Sequence, residues 1–375
     1  MSSEINNAVV AIVAPYPSPN KIREGWMSRI AAIDREFVGL PRIYLNFADH
    51  HDDQSVKIHW RDETTAEVLL NPQGSRSADL ITRICAAVNL LYVHTLHLAE
   101  HILPWLHTGK VCVDIHGVTP EEEEMMGRPE LKAHYERVEE RVLGEAMKCV
   151  AVSNAMIEHY AKKYPQCNPS WITIPVIEDI WDDLNEENEP RQSRFVREAV
   201  QQELPVAVVY AGGTQPWQNI GAMLELAKHT MPWAKYDFYS HEQKRIRKSA
   251  KQMGVSIGSG FCDKERLPRV YDAADFGLIL RNDTAVNRVA CPTKLTEYLR
   301  FGVIPIVRSP RLGDLCEKGY QFVLESDFRA GFFPDAASRE WMIKRNLQVI
   351  DSLAQDYCAG TLILRDLAHG INTAA

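Results

Sequence analysis

Residues 291–301, CPTKLTEYLRF, place a proline, a lysine and a glutamate at the head of a helical pattern. Pro292 suits the first helical position, where its missing N–H costs nothing. The first amides of a helix and its dipole attract an anion, and Lys294 adds a full positive charge. Glu297, a little over one turn in, is placed to accept hydrogen bonds from two neighbouring sugar hydroxyls. A diphosphate at the helix start with a ribose beside it would use all of these groups. A well-capped structural helix whose Lys and Glu face water has the same spacing, so pattern alone leaves both readings open.

Other clusters have simpler expectations. His94, His97 and His101 in HTLHLAEH are spaced to share one helical face, and His50-His51-Asp52-Asp53 reads as a loop. Neither has a zinc-site spacing, so a structural or cleft-lining role is expected and no metal. Thr119 and Glu122 have the spacing of a capping box, which accounts for the glutamate run 121–124 by helix initiation. The segment 241–251 carries five Lys and Arg on a helical pattern; a solvated face is expected, with contact to an anionic membrane as the second reading. Lys21, Arg23 and Trp26 follow the first apolar run, where they suit a phosphate or sugar face or ordinary surface packing equally.

Elements that hold such groups are legible in the apolar pattern. Val9–Ala14, Arg42–Phe47, Leu90–His94, Lys110–Ile115, Cys149–Ser153 and Trp171–Ile174 read as strands, several buried on both faces. In Leu131–Met147, apolar residues recur every three or four positions as one helical stripe. The acidic segment EDIWDDLNEENEPRQS, 178–193, has no apolar period and reads as a boundary. The alternation then restarts with strands at Val206–Tyr210, Tyr236–Tyr239, Val255–Ile257, Phe276–Leu280 and Val303–Val307. Helices fit 216–229, 241–252, 263–273, 292–301 and roughly 338–355. Two strand–helix series predict two doubly wound α/β domains, whose ligands bind at the carboxyl ends of the strands.

Composition agrees with that class. The chain has 375 residues, 45% hydrophobic and 25% charged, with a formal net charge of −8, so no global basic field argues for nucleic acid. Its eight cysteines contain no Cys-x-x-Cys pair, and a reducing compartment is expected. No stretch approaches the length of a membrane span.

The segment Pro292-Thr-Lys-Leu-x-Glu-Tyr-Leu-x-x-Gly302-x-x-Pro305-Ile-Val resembles the signature of retaining glycosyltransferase family 4 (glycosyl transferases group 1), enzymes of the GT-B fold. Four further segments are similar to that family in the same order. These are Asp114-Ile-His116-Gly117 with Glu121-Glu122, then Val152-Ser153, then Val209-Tyr-Ala-Gly-Gly-Thr with Trp217-Gln218, then Gly258-x-Gly260-Phe261 with Leu267-x-x-x-Tyr271-x-x-Ala-Asp275-Phe-Gly-Leu.

The resemblance implies two Rossmann-like domains facing across a cleft: 1–178 for the acceptor, an acidic linker 179–189, and 190–355 for the donor, with 356–375 packing back on the first. It implies a donor diphosphate on the amides of Thr293, Lys294 and Leu295 and on the loop Gly212-Gly213-Thr214, where glycine lets backbone come close. Glu297 would hold the ribose, Phe261 would border the base, and His116 would line the cleft near the transferred sugar. Two departures stand out. Val289 occupies the position of the family's first glutamate, leaving Asp283 and Asn287 as nearby candidates for its sugar contact. Gln215, Pro216, Trp217 and Gln218 replace the family's phosphate-binding Arg and Lys, so Arg281 is expected to supply the charge.

The implied reaction moves a sugar, with retention, from a nucleoside-diphosphate sugar to a glycan or lipid-linked acceptor. No metal or other cofactor is required. The implied setting is bacterial surface polysaccharide synthesis in the cytoplasm or at the inner face of the membrane, with a peripheral membrane contact. A nucleotide-sugar epimerase on the same fold and a non-catalytic sugar-nucleotide-binding subunit are the alternatives.

Overall fold

The computed structural model describes residues 9–18, 25–47, 56–72, 74–177 and 205–371. The expected linker 179–189, Lys21, Arg23 and the His50–Asp53 cluster lie outside them. The chain divides into two compact units, Met1–Pro175 with Asp356–Ala375, and Val176–Gln355.

The first unit is built on an eight-stranded sheet of order β3-β4-β2-β1-β5-β6-β7-β8. Its strands are β1 (Val10–Val13), β2 (Arg42–Phe47), β3 (Lys57–Trp60), β4 (Thr65–Leu70), β5 (Leu90–His94), β6 (Val111–Ile115), β7 (Lys148–Ala151) and β8 (Trp171–Thr173). Every residue of β1, β5 and β6 is buried, as expected of central parallel strands covered on both faces. Edge strand β3 is antiparallel to β4 and exposed throughout. Neither strand is evident in the apolar pattern, because β4 buries a carboxylate. Glu67 accepts from the Tyr16 amide (3.0 Å) and from Asn46 (2.8 Å), and pairs with Arg61.

The second unit has a six-stranded, all-parallel sheet of order β11-β10-β9-β12-β13-β14. The strands are β9 (Val206–Ala211), β10 (Ala234–Tyr239), β11 (Gly258–Gly260), β12 (Phe276–Ile279), β13 (Ile304–Val307) and β14 (Val323–Leu324). The strand expected at Val255–Ile257 begins three residues later. Val255 instead closes the helix Gln243–Met253: Gly254 turns left-handed (φ 70°), and the Val255 amide bonds the Ala250 carbonyl at 2.9 Å. Its apolar side chain is a helix-terminal contact.

The last helix runs Ala336–Ala368, well beyond its expected end. From Asp356 it counts with the first unit, whose core takes Leu364, Leu367 and Ala368. A Cβ on Gly360 would stand 2.4 Å from the Thr173 carbonyl oxygen, so only glycine lets this helix pass so close to β8. Among the described residues no helix is long and apolar enough to cross a membrane.

Candidate functional site

In the second unit the carboxyl ends of β9 and β12 lie side by side, and the helix Thr293–Arg300, which returns the chain to β13, starts at that same edge. Gly277 in β12 allows this helix its close seat. A Cβ there would meet the Tyr298 ring at 2.4 Å, and the Tyr298 hydroxyl reaches the Val209 carbonyl at 3.4 Å.

After β9 the chain turns through Gly212, Gly213 and Thr214, all partly exposed. The Tyr210 hydroxyl donates to the Gly213 carbonyl at 2.5 Å, pinning the loop. Lys294 lies over the same ring, its Nζ 5.6 Å from the Tyr210 centroid. Its Cε and Nζ would each be 2.3 Å from a Cβ on Gly212. Arg281, two residues past β12, is buried and donates to Asn287 Oδ1 at 3.3 Å. Asn219, in the left-handed conformation that Asn tolerates, bonds the Leu280 carbonyl (3.0 Å) and Asn282 Oδ1 (3.1 Å), fixing the chain on both sides of Arg281. Burial raises the Tyr210 hydroxyl pKa, with the Arg281 charge opposing it. Two cations, a glycine turn and a helix start thus gather around one tyrosine, an arrangement suited to an anion.

Two expectations here need correction. Pro292 is the residue before the helix, not its first, and it is extended (ψ 117°). Its carbonyl accepts from the Leu295 amide at 2.9 Å, so that amide is engaged within the helix. Contacts to an anion therefore fall to the earlier positions Thr293 and Lys294.

Glu297 is 7% exposed and accepts a short hydrogen bond from the Tyr271 hydroxyl. Tyr271 is itself held edge-on by Tyr298 at 5.4 Å. Phe261, 40% exposed just after β11, stacks at a tilt on His241 at 4.7 Å. Val289 is buried at the end of the five-residue helix Ala285–Val289. Asp283 pairs with Arg288 at 2.5 Å and with Arg311, and its carboxyl lies below the usual range, chiefly through the Arg288 hydrogen bond. Asn287 is occupied by Arg281 and by the Asn282 carbonyl (2.9 Å).

In the first unit His116 follows β6 and is 17% exposed. Its Nε2 lies 3.2 Å from Asp114 Oδ2 and 3.2 Å from His94 Nδ1. Asp114 is fully buried and accepts from Arg29 (Nε 3.0 Å, Nη2 3.4 Å) and from the Tyr92 hydroxyl at 2.8 Å. Burial alone would raise this carboxyl's pKa. Arg29 and the two histidines outweigh burial and hold it far below the usual carboxylate range. Arg29 is also tied to the Pro175 carbonyl at 3.1 Å. The three ligand-type atoms of His94, Asp114 and His116 lie within 4.8 Å of one another. The buried Arg29 already balances the carboxylate, so a divalent cation there would have to displace a guanidinium.

The three histidines of HTLHLAEH do not share a face. His94 ends β5, and Thr95 then turns left-handed (φ 64°), a strained conformation for a β-branched residue. His97 falls in the short helix Thr95–Ala99, and His101 falls in the 3₁₀ turn after it. Thr119 is not a cap either. Val118 precedes the helix Thr119–Met125 and no side chain caps it. Glu121 instead pairs with Lys163 (2.8 Å) and His159 (3.4 Å). Trp26 lies in the helix Gly25–Arg35, 40% exposed. The basic segment forms the helix Gln243–Met253, with Lys244, Arg245, Arg247, Lys248 and Lys251 exposed.

Arg29, Tyr92 and His94 were not singled out by sequence reasoning as partners of Asp114 and His116. A signal existed: His94 and Asp114 each interrupt a run of apolar strand residues, as a buried charge with a partner must.

No family model matches the chain, and no curated protein matches it. Solved structures do resemble it. A sucrose-phosphate synthase from Thermosynechococcus elongatus has a TM-score of 0.61 at 13% identity, over 98% of this chain and 100% of that one. An E. coli trehalose-6-phosphate structure bound with UDP-2-fluoro glucose has a TM-score of 0.61 at 11%, over 96% and 99%. A UDP-forming α,α-trehalose-phosphate synthase from Burkholderia xenovorans in complex with glucose-6-phosphate has 0.60 at 10%, over 96% and 100%. At these identities the likeness is one of fold: two Rossmann-like parallel-sheet domains of the GT-B type.

Proposed function

We propose that the protein is a retaining glycosyltransferase, similar to family 4, using a nucleoside-diphosphate sugar. One observation carries the reading: Lys294, at the start of the helix Thr293–Arg300, lies over Tyr210 and against the Gly212 turn at a sheet's carboxyl edge, where the Arg281 charge also acts on Tyr210. The UDP-sugar and glucose-6-phosphate held by structures of the same fold support it.

When the bond from the anomeric carbon to the phosphate oxygen breaks, negative charge grows on the departing diphosphate. Aimed cations and helix amides stabilise that charge, in place of a divalent metal. The acceptor hydroxyl attacks from the same face and passes its proton to a leaving-phosphate oxygen. Glu297 holds the ribose, Phe261 borders the base, and the amides of Thr293 and Lys294 with Gly213 and Thr214 receive the phosphates. The first unit takes the acceptor, with Trp26 and His116 on that side. The acceptor class is a glycan or lipid-linked sugar of bacterial surface polysaccharide synthesis, used in the cytoplasm or at the membrane's inner face.

One observation favours a second reading, a non-catalytic binding subunit. Val289 is buried where the family has a sugar-binding glutamate, and Asp283 is committed to two arginines. The discriminating experiment offers UDP-sugars with lipid-linked glycans or with glucose 6-phosphate, and follows UDP release and product anomeric configuration by NMR. Retained product supports transfer. Binding without turnover supports the subunit, and conversion of the nucleotide sugar with no acceptor present means epimerisation. Turnover with glucose 6-phosphate alone would replace the polymer setting by sugar-phosphate chemistry.

A further inference from the structure

The helix Gln243–Met253 carries Lys244, Arg245, Arg247, Lys248 and Lys251 and no acidic residue, in a chain of net charge −8. From that concentration and its placement, we infer that this helix docks the protein on an anionic phospholipid surface. The inference rests on the reading above that the acceptor is lipid-linked.

Three observations set this helix apart from an ordinary solvated one. Ile246 and Ala250 fix it in the core of the second unit, and all five cations are exposed. Cations on other helices have a carboxylate one turn away: Lys162 with Glu158 at 3.4 Å, Lys344 with Glu340 at 2.6 Å, Arg141 with Glu145 at 3.0 Å. Of these five, Arg245 alone reaches a carboxylate among the described residues, Glu242 at 3.4 Å, and Arg247 is tied to Ser259 (Oγ 2.9 Å, carbonyl 3.1 Å). Lastly, the spacing opposes the helix itself. Lys244 with Lys248, and Arg247 with Lys251, are like charges one turn apart, and Lys244 and Arg245 stand in the first turn, where the dipole favours anions. Such a row finds its counter-charge outside the chain.

Two neighbours favour lipid over a hydrophilic polyanion. Met231 is 38% exposed, and the Ser256 amide donates to its Sδ at 3.4 Å, which places an apolar side chain just past the helix end. The Gly212 amide donates to the Tyr239 carbonyl at 2.8 Å, so β10, which leads into this helix, ends beside the turn proposed to receive the donor phosphates. The helix, about 16 Å long, thus starts at that same carboxyl edge. A membrane along it would hold a lipid-linked sugar close to the edge.

Flotation of the full chain with vesicles tests this, using phosphatidylcholine alone and phosphatidylcholine mixed with phosphatidylglycerol. The same is done for a variant combining Lys244→Gln, Lys248→Gln and Lys251→Gln. Expected is binding to the mixed vesicles only, reversed by salt, and weakened on the order of 100-fold in the variant, about fivefold per lysine. Should the triple variant melt lower than the unmodified chain, Lys248→Gln alone is read, with a loss of about fivefold. Equal binding to both vesicle types, binding to neither, or unchanged binding by the variant overturns the inference. So does lysine-dependent capture of single-stranded DNA in place of vesicles. Calorimetry with UDP on the same sample separates the two readings. Vesicle binding without UDP binding would remove the glycosyltransferase and leave the docking surface standing, and UDP binding without vesicle binding would do the reverse.

Discussion

The ammonium of Lys294 occupies the space where a side chain on Gly212 would begin: a Cβ there would lie 2.3 Å from Nζ. Glycine is thus what lets the lysine fold back over Tyr210 toward the turn after β9. Gly212→Ala should push the lysine aside, which its flexible stem permits without unfolding. Expected is a roughly 10-fold loss of nucleoside-diphosphate affinity, about the worth of one charged hydrogen bond, with a lowered melting temperature because the Gly212 backbone (φ 159°) is one that side chains rarely adopt. Calorimetry beside a melting curve checks both.

Glu297 and Tyr271 form a buried pair that aims the carboxylate. Glu297→Ala should cost about 1.5–3 kcal/mol of donor interaction, roughly 10- to 150-fold at low donor concentration. Tyr271→Phe should lose less, because the carboxylate stays and only its aim is relaxed. Steady-state rates at varied donor check this, and an unchanged rate for Glu297→Ala removes the ribose assignment.

Gly360 carries the final helix across β8 within van der Waals reach of the Thr173 carbonyl. Gly360→Ala gains helix propensity but must move backbone against backbone. A net destabilisation of about 1–3 kcal/mol is expected from overpacking. Urea unfolding of the variant, monitored by fluorescence, measures it, and a more stable variant would mean that the helix can shift freely.

Glu121 gives a pH signature. Burial would raise its pKa, but the neighbouring His159 and Lys163 outweigh burial and bring it down to about 2. A carboxylate depressed in the folded state adds stability above its unfolded pKa, and that stability fades as pH falls toward the folded value. Wild type should therefore exceed Glu121→Gln in stability at neutral pH, with the gap closing between about pH 4.5 and 2. Acid-unfolding curves of the two proteins check it, and a constant gap would contradict the pairing.

The parallel architecture was legible because central strands such as β1 and β6 are buried on both faces and read as continuous apolar runs. Strands β3 and β4 were not legible. The first is a fully exposed edge, and the second buries Glu67 on a polar cluster, which breaks its apolar signal. At the carboxyl edge of the second sheet, Lys294 and Arg281 stood out by spacing and charge. The Tyr210 and Gly277 contacts that seat them depend on side chains meeting across strands, which no local pattern records. The same holds for His94 and His116, which are 22 positions apart in the chain and in contact through neighbouring strands. The leucine amide at 295 shows the converse error: the residue was correctly placed near the helix start, but its N–H is already used inside the helix.

The central claim is that Lys294 and Arg281 make a pyrophosphate cradle. Titration of UDP and of UMP into the unmodified protein, Lys294→Ala and Arg281→Ala tests it most directly. Expected is a loss of about 10-fold or more for the diphosphate in each variant, with the monophosphate changed far less. Equal losses for both nucleotides, or no loss for either, would contradict the cradle.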